Sequence, residues 1–122
     1  MSELSIGIGP FVIEPVVSRK IGLNAFAEMS LTPTKWRDAF WAKEKGLFGE
    51  VVGTERHCIE KVEEMATQLA TYNMEAVGKL KNILWKDIQN WETLLDERAA
   101  MSGQLVLSDF TKETLNKFKN KN

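Results

Sequence analysis

Glu3 is the earliest acidic side chain in the sequence; taken alone an N-terminal glutamate is usually a solvated carboxylate, but its setting also suits proton chemistry. It immediately precedes the apolar residues Leu4, Ile6 and Ile8 and the turn Gly7-Ile8-Gly9-Pro10. Such a turn would hold the carboxylate beside a tight backbone approach, and partial burial there fits a carboxyl group for general acid/base work. Other reactive groups lack the company they need. His57 is the only histidine and Cys58 the only cysteine. Neighbouring residues on a helix point in different directions, and no carboxylate pair completes a ligand set, so no metal site is expected. No serine stands in a signature that would couple it to His57 for nucleophilic catalysis. Gly7-Ile8-Gly9 begins a dinucleotide-binding fingerprint, but the third glycine position holds Val12. Trp36, Trp41, Trp85 and Trp91 fall at helical spacings that suit core packing or a subunit contact.

The elements that must position these groups are mostly helices. Leu4, Ile6 and Ile8 alternate with Ser5 and Gly7, which predicts a strand end broken by Gly9-Pro10. Pro15 and Gly22 bracket a short helix, Pro15–Ile21. Asn24 caps a second through Ala25, Phe26 and Met29, and Thr34 opens a third from Lys35 to Lys45, closed by Gly46. Glu50-Val51-Val52 is a possible short strand. Thr54 then precedes a helix whose apolar stripe is Cys58, Val62, Met65, Ala66, Leu69 and Tyr72. Asn73 caps the next helix, whose stripe of Val77, Leu80 and Leu84 continues past Asp87 through Ile88, Trp91 and Leu95. Gly103 interrupts, and Ser108 or Asp109 caps a last helix carrying Phe110, Leu115 and Phe118. A strand with nothing before it to pair with suggests the middle of something larger.

Composition bounds the function. With 122 residues, 43% hydrophobic and 27% charged, the chain suits one globular domain. A single cysteine excludes an internal disulfide framework. No stretch approaches the ~20 apolar residues of a membrane span, and the N-terminus has no signal-peptide pattern, so a cytoplasmic protein is expected. Sixteen basic against seventeen acidic side chains argue against nucleic acid as a partner. The tail alone is basic: Lys112, Lys117, Lys119 and Lys121 stand against Asp109 and Glu113. These lysines suit the last turn of a helix, or a phosphorylated ligand or acidic partner.

Glu3 to Gly22 (ELSIGIGPFVIEPVVSRKIG) resembles a segment of the enoyl-CoA hydratase/isomerase (crotonase) superfamily. The shared pattern is a glutamate, then glycine and a proline turn, then a short helix ending Arg-x-Ile-Gly. Its ungapped form is similar to bacterial branches related to methylglutaconyl-CoA hydratase. Phe26 to Thr32 is similar to the family's helix before its Thr/Ser-rich turn. Ala39 through Lys45-Gly46-Leu47, followed by Glu50-Val51, is similar to its Ala-x-x-x-Gly-Leu-Val turn. The resemblance implies a mainly α chain, the C-terminal helical portion of a crotonase fold with one or two short residual strands. Residues 1–53 would end the core, and residues 54–122 would form the helical trimerisation and CoA-covering region.

By the same resemblance, Glu3 matches a catalytic glutamate that handles the proton on the carbon next to the thioester carbonyl. Gly7, Gly9 and Pro10 match backbone that lines the acyl pocket. Phe110 and Phe118 match a pair of aromatics near the adenine end of coenzyme A, often on a neighbouring subunit. The implied substrate is an acyl-CoA thioester, with no separate cofactor and no metal, in a homo-oligomer that is a trimer or dimer of trimers. Where the family carries a lysine three residues after the first aromatic, this chain has Glu113. The Asp-x-x-Glu-Gly run common before that helix is replaced by Gly103 to Asp109. Glu3 matches the second of the family's two catalytic glutamates; the first, and both oxyanion-hole amides, lie upstream of the matching segment. The expectation is therefore a C-terminal part of such an enzyme, inert alone, or a helical self-association module.

Overall fold

The computed structural model describes residues 1–88 and 90–120. The fold is mainly helical: helix accounts for 69% of it, and no strand occurs among the described residues. The residual strands expected at Leu4–Ile8 and at Glu50–Val52 are therefore corrected. Among the described residues the α-helices are α1 (Glu14–Leu31), α2 (Ala39–Glu44), α3 (Glu55–Ala70), α4 (Met74–Leu84), α5 (Trp91–Val106) and α6 (Asp109–Lys119). The chain resolves into two compact units, one of residues 1–49 with 92–122 and the other of residues 50–91. These are contact-defined bodies, a division different in kind from the one drawn at residue 53 on family grounds.

In the first unit the chain opens with a 3-10 turn, Glu3–Ile6, where alternation predicted a strand. The reason is local closure. The Gly7 amide donates to the Leu4 carbonyl at 3.1 Å and the Ile8 amide to the Glu3 carbonyl at 3.0 Å. Gly7 adopts φ 86°, and this paired closure with a left-handed glycine is the Schellman arrangement. It satisfies locally the groups that a strand would need a partner to satisfy. The same device closes α2: the Gly46 amide reaches Lys43 at 3.0 Å and the Leu47 amide reaches Ala42 at 2.8 Å. Gly46 has φ 82°.

Pro15 sits in the first turn of α1, and Gly22 breaks the helix with φ 77°, ψ 158°, so the expected stop is present as a kink within Glu14–Leu31. Helix α2 starts later than expected, at Ala39 rather than Lys35. Its N-cap is Asp38, whose carboxylate accepts from the Trp41 amide at 2.8 Å. The preceding residues are held in a turn instead. The Lys35 amide donates to the Thr32 carbonyl, and Arg37 donates to Glu28 at 2.8 Å and to the Thr32 hydroxyl at 3.0 Å. Gly103 does not interrupt α5, because it lies on an open face with nothing near it and costs only helix propensity. Ile21, Ala25 and Phe26 form the buried core, flanked by Met1, Val17, Met29, Trp41 and Leu47.

In the second unit, Thr54 caps α3 by accepting from the His57 amide, and Asn73 caps α4 by accepting from Glu75 and Ala76. The stripe expected to run past Asp87 is cut: α4 ends at Leu84 and Asp87 takes φ 68°. Trp85 and Trp91 meet edge to face, 6.0 Å between centroids. No described residue of this unit is buried, and every residue of α3 is exposed.

Candidate functional site

Glu3 lies in the first turn of the chain. One of its carboxylate oxygens, Oε2, is buried without a hydrogen-bond partner. Arg37 Nε is another such atom among the described residues. A buried polar atom left without a partner costs on the order of 1–3 kcal/mol.

A cavity of about 300 Å³ is walled in part by the residues that follow Glu3, and Glu3 itself is not among its lining residues. Gly7, Gly9 and Pro10, which the family resemblance places along an acyl pocket, are among its lining residues. Leu4, Phe11 and Leu105 make the walls apolar. Their backbone geometry explains the glycines. A Cβ on Gly7 would fall 2.6 Å from Phe110 Cδ1 and 2.7 Å from Thr111 Oγ1. A Cβ on Gly9 would run into the Phe11 ring at 2.1 Å.

Charge enters the cavity at one point. Arg98 and Glu14 both line it, paired at 3.6 Å, an ion pair too long for a direct hydrogen bond. Neither was singled out from the sequence. Glu14 could have been noticed as the acidic residue before Pro15. Arg98 stands 84 positions later and carries no local signal.

The two aromatics part company. The Phe110 ring lies against Gly7, with 62% of the residue still exposed. Phe118 is 57% exposed, and neither aromatic is among the cavity's lining residues. Of the tail lysines, Lys112 faces Asp109 at 3.9 Å, Lys117 and Lys119 lie in the last turn of α6, and Lys121 lies outside the described residues. Thr111, also missed, is fully buried; its neighbours in sequence suggested nothing of the kind.

Elsewhere the reactive groups stay apart. His57 and Cys58 are exposed on α3, and among the described residues no group of three His, Cys, Asp or Glu side chains could hold a metal ion. In the second unit Lys61 is held above its ordinary pKa by its hydrogen bond to Glu64 and by the Glu64 and Glu50 charges. In the first, Lys45 is raised by its hydrogen bond and charge pairing with Glu44. Both are surface pairs, remote in kind from proton transfer in a cavity. No helix among the described residues is long and apolar enough to cross a membrane. No family model matches the chain, and no curated protein or solved structure matches it.

Proposed function

We propose that the chain supplies part of an acyl-CoA site of the enoyl-CoA hydratase/isomerase type, in the cytoplasm. The observation that carries this reading is the orphaned Glu3 Oε2, on the turn whose Gly7, Gly9 and Pro10 wall an apolar cavity. The parent reaction adds water across the enoyl double bond, the hydroxyl going to the β-carbon and a proton to the α-carbon. Glu3 is the group assigned to that α-proton, and a second glutamate would direct the water. An acyl group suits walls made of Leu4, Phe11 and Leu105, and such a chain needs no metal.

None of this chain's residues matches the oxyanion donors, and losing one such donor alone costs about 10²–10³ in rate. Crotonyl-CoA should therefore bind saturably, as followed by calorimetric titration, without measurable loss of the enoyl thioester absorbance. Failure to bind at millimolar concentration would sink the reading. Turnover that Glu3→Gln abolishes would show a complete site in this chain.

A second reading has its own observation. The stripe of Val62, Met65 and Leu69 on α3 is exposed. Apolar faces of this kind mark association surfaces, and a homo-oligomer would cover them. Sedimentation at micromolar concentration tests this, and a clean monomer rules it out.

A further inference from the structure

We propose that Thr111 is a positioning residue for the Glu3 turn, so that helix α6 helps to set the candidate carboxylate through a joint at Gly7. In chain order the two are more than a hundred residues apart. In space α6 and α1 are the elements packed on the 3-10 turn Glu3–Ile6. Thr111 is the fully buried side chain of the described residues, at 0% exposure. Its Oγ1 lies 2.7 Å from the place a Gly7 Cβ would occupy, with the Phe110 ring beside it.

Neither side of the joint is free to adjust. Gly7 holds φ 86°, a conformation that side chains rarely adopt. It closes the turn by its amide bond to Leu4, while the next amide bonds the Glu3 carbonyl itself. Thr111 is fixed in turn by Ser108, whose hydroxyl accepts from the Thr111 amide at 3.3 Å and donates to Thr111 Oγ1 at 3.1 Å. The N-cap of α6 therefore orients the atom that meets Gly7, and Gly7 lies four residues from Glu3. Phe110, against the same glycine, keeps most of its surface open. Whatever covers that face of α6 bears directly on the turn. The functional consequence rests on reading Glu3 as the proton-handling group; the joint itself does not.

Backbone ¹⁵N relaxation of the full chain tests the joint without substrate. In the unmutated protein, order parameters at Ser5, Gly7 and Ile8 should be near the rigid value of about 0.85. Thr111→Ala should drop them below about 0.6 while residues 25–29 of α1 stay rigid. Thr111→Ser keeps the oxygen at Gly7 and the Ser108 bond, and should restore the turn. An unmoved turn in Thr111→Ala, or equal loosening of α1, overturns the proposal. Should Thr111→Ala fail to fold, a nuclear Overhauser contact between Gly7 Hα and the Thr111 side chain in the unmutated protein decides: its presence supports the joint and its absence overturns it. Failure of crotonyl-CoA to bind would remove the functional reading and leave these relaxation results standing.

Discussion

Residues 50–91 and the unit made of residues 1–49 with 92–122 use the same local grammar and reach opposite ends. Both start helices with side-chain caps: Thr54 and Asn73 in one, Asp38 and Ser108 in the other. Both carry apolar residues at helical spacing. Yet the first unit buries Ile21, Ala25 and Phe26, and no described residue of the second is buried. Caps and spacing decide where a helix begins and which face is apolar. They do not supply something to pack against. Isolated helices shorter than about 12–15 residues are marginal in water, and α4 has 11 residues. The second unit taken by itself thus has apolar helix faces without a core among the described residues, the observation behind the proposed association.

The strongest way to break this contrast is to truncate one apolar residue in each unit. Phe26 is 8% exposed and Leu69 is 45% exposed. Phe26→Ala should cost about 3–5 kcal/mol, the usual range for a buried aromatic. Leu69→Ala should cost less than about 1 kcal/mol in the monomer, because most of the leucine's transfer free energy is never gained there. Urea unfolding of both variants below the association concentration measures the difference. Equal costs would mean that α3 is already covered and the contrast is false.

The next effect concerns assembly. Phe110 and Phe118 keep 62% and 57% of their surface open, so covering both in an oligomer would contribute about 2–4 kcal/mol. Replacing both by Ala should weaken association by that amount. Lys119→Glu should leave it within about 1 kcal/mol, since exposed ion pairs contribute little. Sedimentation equilibrium separates the two variants. If the lysine change dissociates the assembly and the phenylalanine pair does not, α6 acts as an electrostatic arm.

What was legible in the sequence divides along the same line. Thr54, Asn73 and Ser108 could be read as caps because a cap is settled by residues within one turn of it. Gly22 and Gly46 marked real breaks for the same reason. Gly7, Gly9 and Pro10 line one cavity because they are neighbours in sequence. The misreadings were competitions between local options. Leu4–Ile8 has strand alternation, but Gly7 closes it as a turn before any partner is needed. Thr34 looked like a cap, and Asp38 took the role because Arg37 ties the preceding turn back to Glu28 and Thr32. Arg98 and Thr111 were invisible because their importance lies wholly in residues far away in sequence.

The smallest expected effect sharpens the comparison most, because it holds the chemistry constant. Asn73 caps α4 by accepting from the Glu75 amide at 2.9 Å and the Ala76 amide at 3.2 Å. Ser108 caps α6 by accepting from Thr111, which α6 then buries. Each cap changed to Ala should cost about 1 kcal/mol of local helix stability. In α4 that loss has no packing to absorb it, so Asn73→Ala should lower helix content by circular dichroism at concentrations below self-association and recover it above. In α6 the helix is held against the Glu3 turn, so Ser108→Ala should lower the unfolding midpoint while native helix content stays close to that of the parent chain. A concentration-independent loss in Asn73→Ala would show that association does not cover α4, and would confine the self-association reading to α3 and α6.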